Sequence, residues 1–277
     1  MSTLPELPEV ETIRRQLAPY LSGKKIARAE VLDPLITSPA DPRAFVRRLK
    51  GQTIESLCRR GKYLLLELES GQTLVFHLRM TGRLTRTESP VPKSDKRHLR
   101  LILEFAGGSA LTFHDTRRFG KAFILSTDEA PAYWKKLGPE PLESSFNNKY
   151  LAGVLDKRTR PIKSLLLDQS LIAGIGNIYA DEALYRAGIH PERPAGEIGG
   201  EEARRLAKAL KETLKKAIKL GGSSIDSYRD ARGRSGSFQH TFRVHRREGE
   251  PCPGCGGIVK KIKVGGRGTY FCPACQR

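Results

Sequence analysis

The chain has no long hydrophobic run: none of its 277 residues falls in a stretch near the roughly 18 apolar residues a membrane-spanning helix needs. Met1 to Leu17 has no basic segment followed by an apolar one, so no secretory signal is read there and a cytoplasmic location is expected. No unit repeats at a fixed spacing, which argues against a solenoid or a propeller. Acidic residues are in deficit. Thirty Asp and Glu face 49 Lys and Arg, a net charge of +19. A surplus of that size is more than a solvated surface needs and points to a polyanionic partner; DNA, RNA and an acidic membrane surface all satisfy it on charge alone. Cysteine is scarce but clustered: of five, four lie in two Cys-x-x-Cys pairs within residues 252–277, and Cys58 stands apart. Without an export signal, such pairs indicate a metal rather than disulfides.

What is present divides the chain into patterns. Pro8 suits an early helical position, Glu9 and Glu11 suit the positive end of a helix dipole, and Val10, Ile13 and Leu17 recur at helical spacing up to Gly23. From Thr53 to about Leu125 the pattern is of strands, clearest at 63–69, 73–78, 99–105 and 110–113, as in an antiparallel sandwich. Gly138-Pro139-Glu140-Pro141 reads as a linker. Helical pieces follow at 150–155 and 162–167, then a helix from Asn177, read as its cap, to Tyr185 with Gly188 beyond. A longer helix over 201–220 carries Ala203, Leu206, Leu210, Leu214 and Ala217 on one face. A helix pair of this kind resembles a nucleic-acid-binding hairpin. Residues 223–239 are polar and rich in Gly, Ser and Arg; the default reading is a disordered connector, the alternative a loop that orders around a ligand.

Two motifs carry chemistry. Cys252, Cys255, Cys272 and Cys275 offer four thiolates on two tight knuckles, a closed tetrahedral shell for one structural Zn²⁺. So short a module buries too little core to fold alone, so metal binding supplies its folding energy. Between the knuckles Lys260, Lys261, Lys263 and Arg267 surround Gly265, Gly266 and Gly268, cations on a tight turn suited to phosphate. The second motif is His114-Asp115-Thr116-Arg117-Arg118-Phe119-Gly120. It reads either as a surface turn with a half-buried Phe, or as a wedge in which Phe enters a base stack and Arg takes the place of a displaced base. Met80 sits on another loop tip.

Pro-Glu-Leu-Pro-Glu-Val-Glu from Pro5, Arg-Arg-Gly-Lys-Tyr-Leu at 59–64, Asp-x-Arg-Arg-Phe-Gly at 115–120, Gly-Ile-Gly-Asn-Ile-Tyr-Ala at 174–180 and Gly-Arg-Gly-Thr-Tyr-Phe-Cys at 266–272 occur in that order. Together they resemble the formamidopyrimidine-DNA glycosylase family over nearly the whole chain. Leu7 favours the purine-directed branch over the endonuclease VIII branch, which typically has Gly there. The resemblance implies an α+β multidomain fold: an antiparallel β-sandwich with flanking helices over 1–135, a helix-two-turn-helix domain with a lesion loop over 136–247, and a four-Cys zinc finger over 248–277. It implies a monomer that bends lesion-bearing double-stranded DNA in a cleft, cytoplasmic and associated with the nucleoid. The implied activity is excision of 8-oxoguanine and ring-opened purines followed by β,δ-elimination.

The resemblance also implies roles. Pro5 is the amine nucleophile, Glu6 the acid that protonates the sugar ring oxygen, Lys62 an aid to β-elimination at the phosphate, and Arg267 a phosphate ligand active in δ-elimination. Met80, Arg117 and Phe119 fill the gap left by the flipped nucleotide, with Arg118 beside them on the DNA. Asn177, Arg158 and Lys163 meet phosphates. Where the family often has a His near position 96, this chain reads Lys96-Arg97-His98, so Lys96 or His98 is expected to make that contact. A second departure is Met1-Ser2-Thr3-Leu4 ahead of Pro5. Inside a chain the Pro5 nitrogen is an amide with a delocalised lone pair and cannot attack. The expectation is therefore that translation begins at position 4 or that processing exposes Pro5. The rival readings are a pyrimidine-directed sister enzyme, a non-catalytic binder of damaged DNA or structured RNA, and a zinc-ribbon transcription or ribosomal protein.

Overall fold

The computed structural model describes residues 5–88, 97–225 and 228–277. It divides into two compact units, 1–135 with 221–236, and 136–220 with 237–277.

In the first unit, helix α1 (Leu7–Leu21) begins with Pro8 in its first turn and buries Val10, Ile13, Leu17 and Leu21, the apolar stripe its spacing encodes. Two four-stranded antiparallel sheets follow. The first has the order β1 (Ile26–Val31), β6 (Leu99–Phe105), β7 (Ala110–His114), β5 (Arg83–Thr87). The second has the order β2 (Ile54–Arg60), β3 (Tyr63–Leu68), β4 (Thr73–His77), β8 (Lys121–Leu125). Helix α2 (Pro42–Leu49), capped by the Asp41 carboxylate on the Ala44 N–H at 2.8 Å, and the short α3 (Glu129–Trp134) flank them. The sandwich core joins Leu64, Leu66, Leu74 and Phe76 of one sheet with Leu101, Leu103, Leu111 and Phe113 of the other, and Phe76 stacks on Phe113 at 5.8 Å. Tyr228 and Ala231 belong to the same core. The described part of 223–239 is therefore packed, not a disordered connector.

In the second unit, α4 (Asn148–Leu155), α5 (Ile162–Leu166), α6 (Asn177–Ala187) and α7 (Gly200–Lys219) enclose a core of Leu151, Leu165, Leu184, Leu206 and Leu210. The turn ahead of α6 is braced by Gln169, whose amide donates to the carbonyls of Leu167 and Ile175 and accepts the Gly174 N–H. The N-cap of α6 is Gly176, not Asn177, which is the first helical residue. Strands β9 (Lys260–Val264) and β10 (Arg267–Phe271) form the two-stranded hairpin of the finger, with Gly265-Gly266 as its turn. Among the described residues no helix is long and apolar enough to cross a membrane.

Candidate active site

In the first unit the start of α1 is braced by buried hydrogen bonds. Glu6 caps the helix and is buried; its N–H donates to Glu9 Oε2 at 2.9 Å. The other oxygen of the same carboxylate, Oε1, accepts the Ser223 N–H at 2.7 Å. Tyr228 Oη donates to the Glu9 carbonyl at 3.4 Å, and Gln16 is bridged to Asp230 and Ala231 at 2.7 and 3.0 Å. The 221–236 segment is thus pinned along α1. Gly222 allows this: its φ is +79°, and a Cβ there would lie 2.8 Å from Glu9 Oε1.

Glu11, one turn further, gathers Arg14, Arg15 and Arg59 at 2.9, 2.7 and 3.2 Å. Burial pushes its carboxyl up, but the Arg14 and Arg15 hydrogen bonds outweigh this and hold it at about 2. Arg59 in turn donates to the Gly61 carbonyl at 3.0 Å. The turn that carries the half-buried Lys62 is therefore tied to the helix that carries Pro5 and Glu6.

The two loops that carry Met80 and Arg117–Phe119 share one buried carboxylate. Asp115 accepts from Thr81 Oγ1, from the Arg117 N–H at 3.1 Å and from the Gly120 N–H at 2.7 Å. Gly120 lies flat on Phe113, where a Cβ would stand 2.6 Å from the ring. Phe119 remains 48 % exposed, and the Arg117 guanidinium lies over its ring at 4.9 Å. The turn therefore presents an exposed apolar ring with a cation on its face.

His77, at the end of β4, closes this region and was not singled out from the sequence. Burial first, then the charges of Arg79 and Lys62, pull its imidazole down to about 3. Its Nδ1 accepts the Arg79 N–H at 3.1 Å, so the neutral ring carries its proton on Nε2.

In the second unit, α6 clamps the finger. Asn177 Nδ2 donates to the Gly268 carbonyl at 3.0 Å. Lys163, fully buried, reaches Asp181 at 2.6 Å, Thr269 Oγ1 at 2.8 Å and the Gly268 carbonyl at 3.2 Å. Asp181 also meets His245 Nδ1 at 2.7 Å. Glu182 accepts the N–H groups of Arg243, Val244 and His245 within 3.1 Å. Exposed Arg267 is therefore presented on a hairpin whose inner strand is bonded to α6.

The thiolate sulfurs of Cys252, Cys255, Cys272 and Cys275 all lie within 4.8 Å of one another, with 3.8 and 3.5 Å for the pairs 252–275 and 255–272. A tetrahedron with Zn–S bonds of about 2.3 Å has edges of about 3.8 Å, so the cluster fits one zinc with no open position. The zinc is structural.

Three family models match in succession: the formamidopyrimidine-DNA glycosylase N-terminal domain over residues 4–122, the H2TH domain of the same family over 137–229, and the zinc finger found in FPG and IleRS over 249–277. The chain belongs to the formamidopyrimidine-DNA glycosylase family. It is 45 % identical over 287 residues to the formamidopyrimidine-DNA glycosylase of Cereibacter sphaeroides, covering 99 % of this chain and 100 % of that one. A complex of a Lactococcus lactis FPG variant with DNA containing Fapy-dG superposes with a TM-score of 0.92 at 41 % identity, covering 99 % of this chain and 100 % of the other. The wild-type Lactococcus lactis FPG bound to DNA containing an oxidised pyrimidine gives 0.91 at 41 % identity, with the same coverage.

Set against the formamidopyrimidine-DNA glycosylase pattern, the expected residues separate. Glu6, Lys62, Met80, Arg117 and Phe119 lie on braced turns of the first unit; Asn177, Arg267 and the four Cys lie on or against the finger of the second. Lys163 does not meet the solvent: its ammonium is consumed by Asp181 and the hairpin, so it holds the finger rather than a phosphate. Arg118 turns back to Asp33 in a bidentate pair at 2.6 and 2.9 Å, and that guanidinium holds the Asp33 carboxyl below its usual range. Arg158 is exposed on the turn after α4. His98, half-buried with φ +66°, is fixed by its carbonyl to the Asp115 N–H at 2.8 Å. Lys96 lies outside the described residues. Glu9, Glu11, Asp115 and Asp181, which do the bracing, had only weak sequence signals: an acid near the start of a helix for Glu9 and Glu11, beside a turn for Asp115, and inside a helix for Asp181.

Proposed function

We propose that this chain is a bifunctional DNA glycosylase and AP lyase of base excision repair that removes oxidised purines, chiefly 8-oxoguanine and formamidopyrimidines, from duplex DNA. The observation that carries the reading is the full-length family match combined with Glu6 at the head of α1, tied by one Glu9 carboxylate to the 221–236 segment.

The damaged nucleotide must leave the stack before its C1′ can be reached. Phe119 enters the stack from its exposed turn while Arg117 and Met80 occupy the vacated space. The Pro5 nitrogen attacks C1′, the bond from C1′ to the base breaks, and the base departs with a proton. Glu6 protonates the ring oxygen, the sugar opens, and an iminium links Pro5 to C1′. The iminium acidifies the 2′ C–H. Loss of that proton expels the 3′ phosphate, and a second elimination expels the 5′ phosphate. Lys62 and Arg267 meet these phosphates as point charge and fork. Asn177, Arg158 and His98 contribute backbone contacts. Zinc holds the hairpin that presents Arg267 and supplies no step of the reaction.

The reading needs the Pro5 nitrogen as an amine, which a chain that begins at Pro5 supplies and one that begins at Met1 does not. Oxidised pyrimidines form a second substrate class, favoured by the solved complex of the Lactococcus lactis protein with such DNA. The test is cleavage of end-labelled duplexes carrying 8-oxoguanine, a formamidopyrimidine or an oxidised pyrimidine. Purine lesions are expected to be cut fastest, leaving a gap with phosphate at both ends. Pyrimidine lesions cut faster would assign the chain to the sister activity, and no cutting of any duplex would leave only a binder.

A further inference from the structure

A cavity of about 300 Å³ opens in the second unit among α6, α7 and the 238–243 segment, and the repair reaction described above makes no use of it. Its interior is Thr213 of α7 and the ring of Phe238, both buried. A threonine within a helix ordinarily bonds the carbonyl one turn back. Here the Thr213 hydroxyl is buried and has no hydrogen-bond partner among the described residues, which a polar group of a ligand would supply. One wall is the half-buried ring of Tyr185.

Three cations stand at the mouth: Arg186, Lys216 and Arg243, all exposed. Arg186 shares Glu212 at 2.9 Å; the Lys216 and Arg243 side chains form no ion pair among the described residues. The acid on the lining, Glu182, is buried and its oxygens accept three backbone N–H groups, so it is turned toward residues 243–245 and forms no ion pair with the three cations.

We propose that this cavity binds a mononucleotide. Two unpaired cations and a third beside them suit a phosphate. The rings of Tyr185 and Phe238 on the lining suit a flat base, and the unpaired hydroxyl suits its polar edge. The volume lies at the small end of ligand pockets, roughly 300–1,000 Å³, which suits one nucleotide. The Tyr185 hydroxyl touches Cys252 Sγ at 3.3 Å, and Glu182 holds residues 243–245 at the root of the finger. An occupant therefore rests on two of the contacts that hold the zinc module, and filling the cavity slows release of the metal.

The test is calorimetric titration of the zinc-loaded full chain with 2′-deoxyguanosine 5′-monophosphate. Inorganic phosphate and deoxyguanosine are titrated in parallel, and the nucleotide titration is repeated with a saturating abasic-site duplex already bound. The proposal expects one saturable site for the nucleotide, weaker binding of either half, and no displacement by the duplex. Lys216→Glu with Arg243→Glu should weaken binding about tenfold or more, and Thr213→Val several-fold. Zinc release to a chelator should slow when the nucleotide is present. Each variant is first shown to retain zinc and duplex affinity; should the double variant fail this, Thr213→Val alone decides. Absence of saturable binding, displacement by the duplex, equal affinity for inorganic phosphate, or unchanged affinity in a variant that retains zinc would each overturn it.

Discussion

At the scale of the residue, buried carboxylates do the organising. Asp181 neutralises Lys163, and both side chains are fully buried. Asp181→Asn leaves a buried ammonium uncompensated and is expected to cost about 3–5 kcal/mol, read by urea unfolding. A loss under 1 kcal/mol would mean that the pair is not buried in solution. His77 gives a pH dependence. Its folded value of about 3 lies below the ordinary 6.5. Between those limits the unfolded chain binds the proton that the folded chain refuses, so stability is full above about 6.5 and declines as pH falls. Glu11, held at about 2 against 4.5, acts with the same sign at lower pH. The melting temperature should fall steadily from pH 7 to pH 4 at fixed ionic strength. In His77→Gln the decline over the upper part of that window should flatten, and an unchanged slope would remove His77 from the account.

At the scale of the element, α1 and the segment pinned to it matter most. Gly222→Ala forces a side chain into a positive φ and onto Glu9. The expected result is a clear fall in single-turnover excision with duplex affinity retained, since the cations that hold DNA are untouched. Equal loss of both would place the segment in DNA binding instead. The long regular elements were legible in the sequence for a physical reason. Helix α7 shows its buried face at 3.6-residue spacing, and β3 and β4 are near-continuous apolar runs because they lie at the centre of a sheet. The short edge strand β5, Arg83-Leu-Thr-Arg-Thr, was not legible, because only Leu84 of its residues is buried. Asn177 was misread as a cap because Asn is a good cap anywhere; its amide instead donates one bond to the Gly268 carbonyl, a contact made across 91 positions of sequence. Lys163 was misread for a similar reason. A lysine in a basic chain looks like a phosphate ligand until its burial is known. The polar 223–239 stretch looked unstructured because its order comes from α1, more than 200 residues earlier in sequence.

At the scale of the whole molecule, the account rests on charge, on zinc and on one amine. The surplus of 19 positive charges predicts duplex affinity that falls steeply and log-linearly with salt. Cys255→Ser opens the thiolate shell, so the finger should unfold and duplex affinity collapse; retained affinity in that variant would refute the structural role of the metal. The central claim, that Pro5 is the nucleophile, is reached most directly by borohydride trapping on a duplex with one 8-oxoguanine opposite cytosine. The sequence beginning at Met1 is compared with one beginning at Pro5. The account predicts a covalent protein–DNA adduct for the chain that begins at Pro5 and none while Leu4 remains attached. An adduct formed equally by a chain whose Pro5 stays within an amide, or by none at all, would contradict it.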